Sequence, residues 1–281
     1  MPKFSRNKLK YSVNEKFFNR WTREMAYVLG FTFADGNIYK TSLTWDIQKR
    51  DLNILEKINK ALDSTYPIGI RHNSFRLRIN NQILILKAIN KGLLPKKNMR
   101  TVFPRIPKPF IRHFVRGYLD GDGWIVHRTG KNEVDIGFAS GNKRFLVILN
   151  KIIGSSLGTT GKVRIKKKIT PKGIKAITFQ LEYYSSNAVR VGKWLYGNLI
   201  MKDLYLDRKY LKYLDAQKLY DSLWLQFKSK KSVQEEFNKP LKVLLQGLHE
   251  KEGLNGMQIA NVLKTSKSSV YRWLEETGIK S

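Results

Sequence analysis

Apolar residues recur along this chain with two different periods. Leu52, Leu55, Ile58 and Leu62 fall three or four residues apart, as on one helix face, whereas Phe75, Leu77 and Ile79 alternate with Arg76, Arg78 and Asn80, as on a strand. Both signals return downstream: Phe145, Leu149 and Ile152 at helical spacing, then Val163 and Ile165 alternating with Arg164 and Lys166. Each set follows a short apolar, helix-compatible segment ending in Asp-Gly. These segments are VLGFTFADG at 28–36 and VRGYLDGDG at 115–123, offset by 87 residues. The pattern predicts an internal repeat, residues 1–106 and 107–225, each copy running helix, hairpin, helix, hairpin, helix before a Lys-bearing segment. The second copy is longer, and extended hairpin loops near 128–133 and 166–175 are the expected home of the extra residues.

Charge narrows what such a fold meets. Lys and Arg number 53 against 22 Asp and Glu, a formal net charge of +31, yet 42% of residues are hydrophobic. A chain with that apolar content folds, and one so basic binds a polyanion. Most of the excess belongs to the repeats, since residues 226–281 contribute only +4. Arg76 and Arg78 in the first copy, and Arg164 and Lys166 in the second, share the polar face of their strands and are candidate phosphate contacts, joined by Arg71 and Lys168. Cysteine is absent, which removes disulfide scaffolds, thiolate zinc sites and cysteine nucleophiles. No uncharged apolar run approaches the roughly 18 residues of a membrane span, and the N-terminus lacks the apolar core of a signal peptide. A soluble intracellular protein is expected.

The two Asp-Gly segments carry the chemistry. Gly30 and Ala34, like Gly117 and Gly121, stand four apart, giving each helix a flat strip along which two helices can pack closely. Asp35 and Asp122 would then end up side by side, where helix dipoles and mutual repulsion disfavour two carboxylates unless a cation intervenes. Oxygen ligands without a His or Cys cluster select a hard divalent ion, Mg²⁺ in a cell, for which Ca²⁺ or Mn²⁺ can substitute. The backbone of Ala34 and Gly121 adjoins this expected site. Metal held beside a basic surface suits phosphodiester hydrolysis. An EF-hand reading of the second segment fails, because Trp124 and Lys131 occupy loop positions five and twelve. His113 and His127, flanking the second motif, read as packing or DNA contacts.

VLGFTFADG and VRGYLDGDG resemble the two signature motifs of a single-chain LAGLIDADG homing endonuclease. FPRIPKPFIRHFVRGYLDGDGW and LYLDRKY are similar to that family's lead-in to its second motif and to its closing segment. The resemblance covers roughly residues 20–225. It implies an α+β fold, a pseudo-twofold pair of αββαββα units whose antiparallel sheets form a saddle over a long double-stranded DNA site, and a monomer that cuts both strands. It also implies that Asp35 and Asp122 hold the metal, that Lys97 and Lys209 lie near the scissile phosphates, with Lys96 competing for the first place, and that Gln48 holds metal-bound water. The counterpart of Gln48 lies among Ser140, Gly141 and Asn142. Motif one departs from the family at Phe33, where motif two keeps Asp120, a residue whose usual role is structural. A non-cleaving transcription regulator and an RNA maturase are the alternatives on the same fold, although such regulators tend to lose the acidic residues. The chain ends lack the splicing residues of an intein.

After a polar connector at 228–232 the pattern becomes wholly helical, so 226–281 reads as a separate unit. Ile259, Ala260 and Leu263, a short polar turn, then Val270, Trp273 and Leu274 form a helix-turn-helix pattern. Ser268, Ser269 and Arg272 would face a DNA groove from the second helix, with Tyr271 beside them. The segment is similar to helix-turn-helix modules appended to some mobile-element nucleases.

Overall fold

Thr22 opens the first helix: its hydroxyl accepts the Met25 N–H, and α1 (Arg23–Asp35) runs from there to Gly36, whose extended backbone leads straight into a hairpin. In the computed structural model, which describes residues 10–95, 103–128, 133–169, 175–226 and 228–279, the first repeat continues as β1 (Gly36–Tyr39), β2 (Ser42–Gln48), α2 (Leu52–Ala61), β3 (Ile68–Ile70), β4 (Ser74–Asn80) and α3 (Gln82–Asn90). The second follows as α4 (Ile111–Asp122), β5 (Gly123–Arg128), β6 (Glu133–Ser140), α5 (Lys143–Leu157), β7 (Lys162–Ile169), β8 (Lys175–Tyr184) and α6 (Ser185–Tyr196), with α7 (Asp207–Gln226) after it. The fold is α+β, with two antiparallel sheets ordered β1-β2-β4-β3 and β5-β6-β8-β7. One face of each sheet supplies core residues, Leu43, Trp45, Leu77 and Ile79 in the first and Ile136, Phe138, Leu181 and Tyr183 in the second. The other face stays polar, as the alternation predicts.

The second repeat's extra length lies largely in its regular elements. β7 and β8 have 8 and 10 residues against 3 and 7 in β3 and β4, and α5 has 15 against 10 in α2. Lys166 and Lys168, expected in a hairpin loop, are therefore strand residues, paired in register with Thr178 and Ala176.

Helices α1 and α4 pack with their backbones touching. A Cβ added at Gly30 would lie 2.0 Å from the Phe114 carbonyl oxygen, and one at Gly117 would lie 2.1 Å from that of Tyr27. Under the 87-residue offset Gly30 corresponds to Gly117 and Tyr27 to Phe114, so these are two equivalent contacts, each the repeat's counterpart of the other. Ala34 and Gly121 also correspond. A Cβ at Gly121 would fall 2.3 Å from that of Ala34, so the crossing has room for one methyl group only.

A polar layer surrounds the crossing. Asp120, buried, accepts from the Tyr27 hydroxyl (2.7 Å), the Tyr196 hydroxyl (2.6 Å) and the Leu206 N–H (2.8 Å). Burial raises its pKa above the ordinary carboxylate value. The equivalent Phe33 instead packs edge-on against Phe114, with ring centroids 5.4 Å apart. One turn away, buried Arg116 donates to the Leu204 and Leu195 carbonyls and lies 3.4 Å from buried Asp203. His113 fills the same cluster, and desolvation, with Arg116 nearby, lowers its pKa to about 3.

The chain divides into two compact units, residues 1–217 and 218–281, and the division falls inside α7 rather than at the expected 225/226. In the second unit the connector expected to reach residue 232 is shorter, because α8 (Lys230–Phe237) already starts there, capped by Ser229. α9 (Leu241–Gln246), α10 (Gly256–Val262) and α11 (Lys267–Thr277) complete it around Leu245, Ile259, Leu263, Val270, Trp273 and Leu274. Asn255 and Gln258 form a capping box on α10, and the Ser266 hydroxyl accepts the Ser269 N–H to cap α11.

Candidate functional site

The close helix crossing puts Asp35, the last residue of α1, against the last turn of α4. The position a Gly121 Cβ would occupy is 2.3 Å from the Ala34 Cβ and 3.4 Å from Asp35 Oδ2, so glycine there lets the two helix ends close, and the Asp35 carboxylate meets α4 one residue before Asp122. Asp35 and Gly121 line a cavity of about 300 Å³, together with Asp46 and Gln48 from β2, Arg50 and Asp51 from the following turn, and Leu206 and Arg208. The structure thus brings Asp35, Gln48 and Gly121 into one cavity. Asp122 is half-buried at the end of α4, next to Gly123.

The donor set suits a hard divalent ion. Among the described residues no group of three or more His, Cys, Asp or Glu could hold a metal. Asp35 and Asp122, at the ends of α1 and α4, are the residues that could hold such an ion, since hard divalent ions can be bound through one or two protein carboxylates with waters and phosphate oxygens supplying the rest.

Lys209 is placed differently from the resemblance's expectation. Only 2% exposed, its ammonium donates to the Leu119 (2.6 Å), Asp120 (2.7 Å) and Gly123 (2.7 Å) carbonyls, capping the C-terminus of α4. All three donors are used within the protein. Desolvation lowers its pKa to about 8. Arg208, its neighbour, lines the cavity, its Nε and Nη2 bonded to Asp51 at 2.7 to 3.1 Å. Lys97, with its competitor Lys96, lies outside the described residues.

Strand register settles the counterpart of Gln48. Gly36 opposes Trp45 in the first sheet and Gly123 opposes Phe138 in the second, so Gln48, three beyond Trp45, corresponds to Gly141. The second half has no side chain there. Asn142 is committed to capping α5, accepting the Arg144 and Phe145 N–H groups.

The polar sheet faces hold most of the expected DNA contacts, though several are paired. Arg76 donates to both Asp46 oxygens at 2.8 and 2.9 Å, which raises its pKa. Arg164 pairs with Glu182 at 3.0 Å. Arg78 is exposed and donates to the Ser42 hydroxyl. Arg71 and Lys166 are exposed, and Lys168 pairs in register with Ala176 two residues further along β7. Cross-strand acids such as Asp46 and Glu182 become visible only once the register is known. Trp124 was also missed: its indole covers Gly137, where a Cβ would sit 2.0 Å from the ring, and it lines a second cavity with Arg164, Lys166 and Gln180. On α11, Ser268, Tyr271 and Arg272 are exposed, whereas Ser269 is partly engaged with Ser266.

Two four-stranded antiparallel sheets, with motif helices crossing at their glycines and ending in aspartates, define a LAGLIDADG-type α+β architecture. Residues 109–193 match the family model of a LAGLIDADG-like domain, so the chain carries a domain of this class. Solved structures similar to the chain include full-length DUF199/WhiA from Thermatoga maritima, at 14% identity over 94% of each chain, TM-score 0.43. The I-LtrWI LAGLIDADG homing endonuclease bound to target DNA is 12% identical over 76% of this chain and 92% of that one, TM-score 0.44. The LAGLIDADG meganuclease I-AabMI bound to uncleaved DNA is 13% identical over 70% and 91%, TM-score 0.46. No curated protein sequence matches. Among the described residues no helix is long and apolar enough to cross a membrane.

Proposed function

We propose that this chain is a divalent-metal-dependent, site-specific endonuclease of double-stranded DNA, acting as a monomer. The observation that carries the reading is the approach of Asp35 to Gly121 in the last turn of α4, in a cavity also lined by Gln48, on a strongly basic protein. Asp35 and Asp122 would hold Mg²⁺, which stabilises charge on the attacking and leaving oxygens when bound. Gln48 would orient water on the Asp35 side, while Arg78, Lys166 and their neighbours on the sheets hold the phosphate backbone. Ser268, Tyr271 and Arg272 on α11 would extend the footprint, with α10 and α11 read as a helix-turn-helix.

The test is to incubate the protein with a library of DNA sites, with and without Mg²⁺. Asp35→Asn and Asp122→Asn should each abolish cutting and leave binding intact or tighter, because each removes a metal ligand and a negative charge near phosphate. Either variant cutting both strands at the wild-type rate would show that the metal site lies elsewhere. Binding without cleavage by the wild-type protein would favour a non-cleaving regulator, a reading that Gly141 in the place of a second Gln48 also supports.

A further inference from the structure

The closing segment presents two consecutive cations, and the structure turns them in different directions. Lys209 spends its three donors on the carbonyls of α4 and is 2% exposed. Successive helix residues point about 100° apart, so anchoring Lys209 inward turns Arg208 to the side. There Arg208 enters the cavity it shares with Asp35 and Gln48. The Arg208 side chain is 36% exposed, and its Nε and Nη2 donate to Asp51, whose own side chain is 10% exposed. Among the described residues Nη1 has no hydrogen-bond partner.

From this geometry we infer that Arg208 is a catalytic residue that contacts the scissile phosphate on the Asp35 side, and that Lys209 is a positioning residue that holds the end of α4. The inference rests on the endonuclease reading above. A guanidinium fits this role because it stays charged, and one edge can grip a carboxylate while its remaining N–H groups meet a phosphate oxygen. Asp51 fixes the plane of the fork, so Arg208 is oriented before DNA arrives.

The experiment is single-turnover cleavage at saturating protein with each DNA strand labelled, alongside binding measured without metal at several salt concentrations. Arg208→Gln should slow one strand by about 100-fold and the other far less, the scale seen when one preorganised electrostatic donor is removed. It should also lower the salt slope of metal-free binding by about 0.9. Arg208→Lys keeps the charge and should recover part of the lost rate. Asp51→Asn leaves the guanidinium in place and should slow that strand less than Arg208→Gln. Equal losses in Arg208→Gln and Asp51→Asn, spread over both strands, would reduce the pair to a tie between α7 and the turn before α2 and overturn the inference. Wild-type-like cleavage by Arg208→Gln would overturn it while leaving the endonuclease reading intact. Failure of the wild-type protein to cut any site would remove both.

Discussion

Gly117→Ala is a sharp test of how the helix crossing builds the site. The new methyl would lie 2.1 Å from the Tyr27 carbonyl oxygen and 2.8 Å from the Phe31 nitrogen, both backbone atoms of α1. Carbon–oxygen contact needs about 3.3 Å, so the helices must separate by more than an ångström, and no side-chain rotation relieves a clash with backbone. Overpacking typically costs about 1 to 3 kcal/mol. Here the upper end applies, because separation also strains the 2.7 Å bond from Tyr27 to Asp120. The same movement draws Asp35 away from α4, and a misplacement of about 1 Å can reduce a rate roughly 100-fold. The expected result is a guanidinium midpoint lowered by the equivalent of about 3 kcal/mol, with cleavage reduced further than DNA binding. Gly141→Ala is the control, since nothing lies within 4 Å of its added Cβ. If Gly117→Ala unfolds at the same denaturant concentration as Gly141→Ala and cuts at the wild-type rate, the backbone crossing does not organise the site.

Four other outcomes are expected. Asp120→Ala strands two buried tyrosine hydroxyls and the Leu206 N–H, so it should cost about 3 to 5 kcal/mol in chemical denaturation. A loss below about 1 kcal/mol would refute that. His113, with its pKa held at about 3 against about 6.5 when unfolded, stays neutral in the native protein while the unfolded chain takes up a proton. Its contribution is therefore complete well above pH 6.5 and is lost as pH falls toward 3, so wild-type stability should drop about 1.5 kcal/mol more than that of His113→Gln between pH 6.5 and 5 in urea melts. Parallel pH profiles would show that His113 is not the group responsible. Gln48→Ala should slow one strand and accumulate a nicked product, whereas equal slowing of both strands would detach Gln48 from a single site. Removing residues 226–281 should shorten the DNA footprint at one end and spare cleavage at high protein concentration, and an unchanged footprint would leave α11 without a DNA role.

Much of the fold was legible because its signals are local. The two periods identify helices and strands, and the small residues at 30, 34, 117 and 121 mark a close helix crossing, as the structure bears out. What depends on register or helical phase was not legible. Arg208 and Lys209 are adjacent cations in the sequence, and their directions part only once Lys209 is anchored on α4. Cross-strand partners follow from pairing, so the commitment of Arg76 to Asp46 and Arg164 to Glu182 could not be read from charge alone. The counterpart of Gln48 was similarly ambiguous, because the two β-hairpins differ in length while their pairing from the motif glycine is the same.

The departure at Phe33 has a physical explanation in the partner it meets. Tyr27 and Phe114 are equivalent under the repeat, as are Phe33 and Asp120, so one spatial pair occurs twice with different chemistry. Across one side a tyrosine hydroxyl donates to a carboxylate, and across the other a phenylalanine meets a phenylalanine. Each pair is internally consistent, whereas a carboxylate beside Phe114 would be buried without that hydroxyl. The polar version also reaches further, because Asp120 binds Tyr196 and the Leu206 N–H as well. It thereby fastens the segment carrying Leu206, Arg208 and Lys209, two of which line the cavity of Asp35. An acidic residue in the second motif thus shapes the cavity of the first, and for that reason the two halves are not interchangeable despite their common fold.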